Sequence, residues 1–155
     1  MSAEIILDRH EELGKWFAER TASLFVQGQS VYIGLERDGV ICAVVAFDGY
    51  KGKSICMHIA AEGKKWMSRE YLWFCFFYPF EQLKVNKIIG IVESTNADAM
   101  RFDLHLGFVP ECVIKDAAEN GDLNILTMTK EQCRFLNIKR ATPADVTERK
   151  EHQNG

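Results

Sequence analysis

Apolar residues recur along this chain at two spacings, every second position in some stretches and every third or fourth in others. The switches between them predict its elements. Residues 5–7 form a short first strand or an apolar lead-in. Asp8 then caps a helix, with Glu11 three positions on as capping-box partner. Leu13, Trp16, Phe17, Leu24 and Phe25 supply its stripe, and Gly28 ends it. Residues 30–37 alternate, with Val31, Ile33 and Leu35 set against Tyr32, Gly34 and Glu36. Asp38-Gly39 comes next as a hairpin turn. Residues 40–47 are apolar almost throughout, as expected of a strand buried on both faces. Asp48-Gly49 and Gly52 mark a second turn, and residues 54–61 a third strand.

From Ser68 the spacing becomes helical. Ser68 is a good N-cap, and the stretch after it is dense in aromatics: Tyr71, Trp73, Phe74, Phe76, Phe77, Tyr78 and Phe80. A helix apolar nearly all round is a buried one, and Pro79 should kink it or restart its last turn. Residues 88–93 read as a buried strand. Ser94 or Thr95 can cap a helix over 96–106 that places Ala99, Phe102, His105 and Leu106 near one face, and Gly107 suits a left-handed C-terminal cap. Two further strands, 112–115 and 123–129, are joined by a loop reversing at Asn120-Gly121-Asp122. Thr129 with Gln132 caps a last short helix through Leu136. The helix from Ser68 crosses between the strands 54–61 and 87–93, which can then lie parallel. The expectation is an α/β (α+β) single domain over residues 1–137. It has a mixed, mostly antiparallel sheet, a central parallel strand pair and helices on both faces. Residues 138–155 are expected to be a polar, disordered tail.

Composition narrows the function classes. With 155 residues, 47% hydrophobic and 26% charged, the chain is long enough for one substantial core, and its net charge of −3 leaves no global footprint for nucleic acid. Cys42, Cys56, Cys75, Cys112 and Cys133 are odd in number, and no pair of them forms a CxxC spacing. Reduced core thiols and a cytoplasmic location are therefore expected. The histidines do not cluster with them, so no metal site is expected. No stretch reads as a leader or a membrane span.

Asn96-x-x-Ala99-x-Arg101, closing on Leu106-Gly107-Phe108, resembles the last motif of the GNAT superfamily of acyl-CoA-dependent N-acyltransferases, in the spacing of the ribosomal-protein Nα-acetyltransferase branch. The hairpin, strand, helix and strand before it agree, over roughly residues 10–137. A weaker likeness joins Gly121-Asp122 and Glu131-Gln132-Cys133-Arg134 to small GNAT-like proteins of phages.

The resemblance implies that the strands ending at Ala61 and beginning near Lys87 splay apart and that acetyl-CoA, or another acyl-CoA, lies in the gap. Backbone groups of Ile59, Ala60 and Ala61 would hold it, and one amide there would polarise the thioester. Its pyrophosphate would sit on the turn from Glu62 to Met67, with Gly63, Lys64, Lys65 and Trp66 between, and at the amino end of the helix opened by Ser68 and Arg69, where unpaired amides and the helix dipole favour anions. Asn96 and Phe102 complete the implied cofactor site. Two positions depart from the family. Trp66 and Ser68 stand where its cofactor loop carries glycine, and Asp103 stands where many members carry a tyrosine that protonates the leaving thiolate. An ionised aspartate cannot do that unless its pKa is raised.

For the base that takes the amine's proton, His58, Glu36, Asp48 and Glu93 are candidates. Histidine is the side chain whose ordinary pKa lies near neutrality. Each also has a structural alternative: a hydrogen-bonded half-buried histidine for His58, a turn-fixing carboxylate for Glu93. The acceptor is expected to be an amine, on a small molecule or a protein, with acceptor loops at 27–30 and 115–122. Two other readings stay open. One is a binding or structural protein whose cofactor loop has decayed. The other is a base-modifying enzyme using Lys51, Lys53, Lys64, Lys65, Lys84 and Lys87 as a basic face. A homodimer is possible.

Overall fold

A computed structural model of the chain describes residues 3–21, 28–63 and 68–137. Seven strands form one sheet: β1 (Ala3–Ile6), β2 (Val31–Arg37), β3 (Val40–Asp48), β4 (Ser54–Ala61), β5 (Lys87–Glu93), β6 (Val109–Ala118) and β7 (Gly121–Thr129). Their order is β1-β2-β3-β4-β5-β7-β6, and every neighbouring pair is antiparallel except β4 with β5. The expected mixed sheet with a central parallel pair is the observed one. Asp38 and Gly39 both take positive φ, 51° and 81°, as a two-residue turn twisted to match its strands requires.

Three helices cover the sheet: α1 (His10–Arg20), α2 (Arg69–Phe77) and α3 (Ala97–Leu106). Leu13 and Phe17 of α1 pack on Ile6, Tyr32, Val44, Ala46 and Ala60, which share one face of the sheet. The other face carries the larger core. There Tyr71, Leu72, Cys75 and Phe76 of α2 meet Ile33, Leu35, Val45 and Phe47, while Leu106 of α3 and Phe108 join Ile88, Val92, Leu126 and Met128. Tyr71 is fully buried, and its hydroxyl donates to the Ile33 carbonyl at 2.7 Å, so the polar atom that the helix buries is satisfied.

Several local expectations are corrected. Helix α1 stops at Arg20 and Thr21 is already extended, so the helix does not run on to Gly28; Leu24 and Phe25 lie outside the described residues. Its N-cap is Arg9, with no side-chain cap, rather than Asp8. The cap of α3 is Asn96, whose Oδ1 accepts from the Ala99 N–H at 3.1 Å, instead of Ser94 or Thr95. Ser94 is engaged elsewhere, since its hydroxyl accepts from Asp122 N–H at 3.0 Å. His105 is exposed, off the buried face of α3. Strand β6 is far longer than its apolar core suggested, β7 begins two residues earlier than expected, and the two meet in a tight turn, so 115–122 is hairpin rather than loop. Polar residues extend them because β6 is an edge strand, its pairing broken by shifts near Pro110 and Asp116. Thr129 and Gln132 do exchange hydrogen bonds, but the helix expected after them is only a single 3-10 turn, Phe135–Asn137.

Ser68 caps α2 as expected, accepting from Tyr71 N–H at 3.1 Å. At Pro79 the helix widens into a π turn, Tyr78–Gln82, closed by Leu83 N–H to Tyr78 C=O at 3.0 Å. The ring removes one donor and crowds the preceding carbonyl, and the longer turn accommodates both. The five cysteines are free, with Cys75 and Cys133 buried and Cys112 exposed. Among the described residues no helix is long and apolar enough to cross a membrane.

Candidate active site

The parallel pair at the centre of the sheet is short. Strands β4 and β5 are in register only at Ser54 with Lys87, Ile55 with Ile88 and Cys56 with Ile89. Beyond that point each keeps its outer neighbour, β4 on β3 as far as Ala61 and β5 on β7 as far as Glu93, while the two part from one another. A cavity of about 820 Å³ opens in the split, within the size range of small-molecule sites.

One wall of the split is backbone. Glu62 N–H donates to Cys42 C=O at 2.9 Å, and directly opposed residues of an antiparallel ladder alternate between bonded and non-bonded pairs. Ala60 therefore spends its N–H and C=O on Val44, its register partner. Ile59 and Ala61 turn theirs the other way, into the split. Unpaired strand groups facing a cavity hold an extended ligand in the way an added strand is held.

Proton-active side chains stand on both sides. His58 of β4 is half-buried, and its Nε2 lies 3.1 Å from Asp48 Oδ1 at the end of β3. Both lie on the sheet face that α1 covers, since His58 is in register with Ala46. Asp103 of α3 lies on the opposite face. A Cβ placed on Gly90 would come 3.1 Å from its Oδ2 and 3.7 Å from the Phe108 ring. Burial pushes this carboxyl up to about 6, with the charge of His58 pulling weakly back. Glu93 ends β5 at the rim, its backbone carbonyl accepting from Asn96 N–H at 2.9 Å. At the mouth Arg20, stacked over Trp16 at 3.8 Å, reaches from α1 to Glu62 at 2.7 Å and ties that helix to the end of β4.

The fold thus gathers His58, Glu93, Asp103, Asn96, Phe102 and the backbone of 59–61 around one cavity. Glu36 is elsewhere, held by the Arg9 guanidinium at 2.6 Å. Gly63 is exposed with φ +74°, and Arg69 is exposed at the first turn of α2. Lys64, Lys65, Trp66 and Met67 lie outside the described residues. Of the lysines expected to make a basic face, Lys84 pairs with Glu81 at 3.7 Å and Lys87 with Glu111 at 2.8 Å. Sequence reasoning missed Gly90 and the Arg20–Glu62 tie. A glycine inside an apolar strand was the available signal for the first, because it marks a close approach. The second joins residues 42 apart and leaves no local trace.

No protein-family model matches the sequence, and no curated protein matches it. Solved structures do. Mutant forms of the spermidine/spermine N-acetyltransferase SpeG from Vibrio cholerae are similar over 88% of this chain and 98% of theirs, at 14% identity and TM-score 0.69. A probable acetyltransferase is similar over 79% of this chain and 70% of its own, at 15% identity and TM-score 0.56. The ribosomal-protein-S5-alanine acetyltransferase from Vibrio fischeri is similar over 68% and 64%, at 13% identity and TM-score 0.56. At these identities the likeness is one of fold, and the fold is the GNAT fold that the sequence resemblance implied.

Proposed function

We propose that this chain is an N-acyltransferase that moves an acyl group, in the simplest case acetyl, from coenzyme A to a primary amine. The observation that carries the reading is the split of β4 from β5 after three paired residues. It exposes unspent backbone groups of Ile59 and Ala61 to an 820 Å³ cavity with proton-active side chains on both faces.

The residues present fit an acyl-CoA. Ile59 and Ala61 offer strand groups to a pantetheine amide chain, and an amide in that row can polarise a thioester carbonyl. The amino end of α2, with Arg69 beside it, suits phosphate, although the Ser68 hydroxyl is already spent on Tyr71 N–H. The bound thioester supplies an activated acyl carbon. His58 takes the proton released by the attacking amine, and Asp48 fixes the ring and stabilises its charged form. Holding amine and acyl carbon together supplies most of the remaining rate enhancement. The cavity carries more acid than base, since Asp48, Glu93 and Asp98 line it while Arg20 is held by Glu62. A cationic amine therefore suits its electrostatics.

Calorimetric titration with acetyl-CoA and CoA tests the reading. Binding near micromolar, about −8 kcal/mol, is expected, together with acyl transfer to at least one of spermidine, lysine and an alanyl peptide. No binding at millimolar CoA overturns it and favours a fold whose cofactor loop has decayed. Gain of binding in Trp66→Gly would then place the cause in that side chain.

A further inference from the structure

We infer that the outer edge of β6 is a dimerisation surface, on which two copies of this chain pair antiparallel about a two-fold axis at Val113. The pairing is independent of the chemistry in the split. Strand β6 closes the sheet on one side, and among the described residues no strand lies beyond it. It is exposed from Val109 to Ala117, with Val109, Val113 and Ile114 at 45%, 49% and 48%. A long edge with apolar side chains exposed on both faces is a template for another strand.

The ladder fixes which groups that edge offers. Ser94 N–H donates to the Asp122 carbonyl at 2.9 Å, one step beyond the Glu93–Leu123 pair. Bonded and non-bonded pairs alternate, so Asn124 and Leu126 spend their backbone groups on β5, while Leu123 and Ile125 spend theirs on β6. Their register partners there, Ile114 and Cys112, are spent in turn. Val113 stands between them and points its N–H and C=O away from β7, to the open edge.

A second copy fits this edge better than a foreign strand because the edge is complementary to itself. With Val113 opposite the partner's Val113, each N–H donates to the other's C=O. Cys112 then stands opposite the partner's Ile114, and Glu111 opposite the partner's Lys115. The two charged side chains are 46% and 81% exposed, and their pairs within the chain, with Lys87 and Asp122, are surface pairs. Opposite charges across a strand pair stabilise it and like charges weaken it. An in-register parallel pair would set each charge beside its own kind. Register shifts near Pro110 and Asp116 confine the pairing to this central run. The two-fold uses both β6 edges, so the assembly closes at two copies.

The strip is narrower than a standard interface of about 1,600 Å², and a dissociation constant on the order of 10–100 µM is expected. Sedimentation equilibrium of the full chain, from about 1 µM to 1 mM, should show monomer passing to dimer. Glu111→Lys alone and Lys115→Glu alone should each weaken the dimer about tenfold or more. The two together should return it to within about threefold of wild type. The double variant leaves Lys87 and Asp122 without their opposite charges, so its recovery reads the contact between copies. Oxidative cross-linking locates the axis. In a Cys112→Ser background, Val113→Cys should form a disulfide-linked dimer, because directly opposed bonded residues lie about 5.5 Å apart between Cα atoms. Lys115→Cys in the same background should not, since the two substituted positions lie four residues apart along the paired strands. A wild-type chain that stays monomeric across the range overturns the inference. So does a double charge variant no tighter than the single ones, or equal cross-linking from both cysteine variants.

Discussion

Replacing Asp103 with asparagine should change how stability depends on pH, and the size of the change can be worked from the fold. The carboxyl goes from 3.8 to about 6 because it is buried where α3 packs over Gly90 of β5. At 1.36 kcal/mol per tenfold change in proton affinity, ionising it in the folded chain costs about 3 kcal/mol more than in the unfolded chain. One side of the group still meets the open cavity, and water there screens part of that cost, so about 2 kcal/mol is expected. Below pH 3.8 both states hold the proton. Between 3.8 and 6 the unfolded chain has lost it while the folded chain keeps it, so unfolding releases a proton and stability falls as pH rises. Above 6 both states are ionised and the loss is complete. Urea unfolding monitored by tryptophan fluorescence, run on both proteins from about pH 4 to 8, isolates this contribution as a difference, because every other titrating group is common to the two. The wild type should lose about 2 kcal/mol relative to Asp103→Asn over that range, mostly below about pH 6.5. A difference flat to within about 0.5 kcal/mol, or one of opposite sign, would refute the buried-carboxyl argument.

Two further outcomes rest on single contacts. Tyr71→Phe leaves the Ile33 carbonyl without its 2.7 Å donor inside the core. It should cost about 1–3 kcal/mol, read as a lower urea midpoint with an unchanged slope. Gly90→Ala puts a methyl 3.1 Å from the Asp103 carboxylate oxygen and 3.7 Å from Phe108. The half-buried aspartate side chain can give way toward the cavity, so stability should move by no more than about 1 kcal/mol. The Asp103 titration should fall below 6 as the carboxyl gains water. An unchanged titration in that variant would show that Gly90 does not set the position of the carboxyl.

Much of this molecule was legible along the chain. Strands β4 and β5 fall where their apolar runs predict, the Asp38-Gly39 turn has the positive φ pair its sequence calls for, and Gly107 caps α3 at φ +112°. Each depends on contacts within a few residues: alternation at two, helical stripes at three and four, a glycine where a side chain would strain. Errors arose where a local signal had competitors. Asp8 lost the cap of α1 to Arg9, and Ser94 lost that of α3 to Asn96 because its hydroxyl meets Asp122, 28 residues away.

What tertiary structure decided is the site. Nothing near residue 56 says that the parallel pairing ends there. It ends because β4 stays on β3 and β5 on β7, and those two outer partners carry the strands apart. His58 meets Asp48 through strand register, and Asp103 meets Gly90 because α3 folds back over the strand that precedes it. The sequence by itself determined which elements form and placed the candidate residues on them, since propensity, capping and hydrophobic period act over a few residues. Which of those residues share a cavity, and how burial tunes them, was decided only by packing between distant segments. Register and desolvation are properties of the assembled sheet, and no short stretch of chain encodes them.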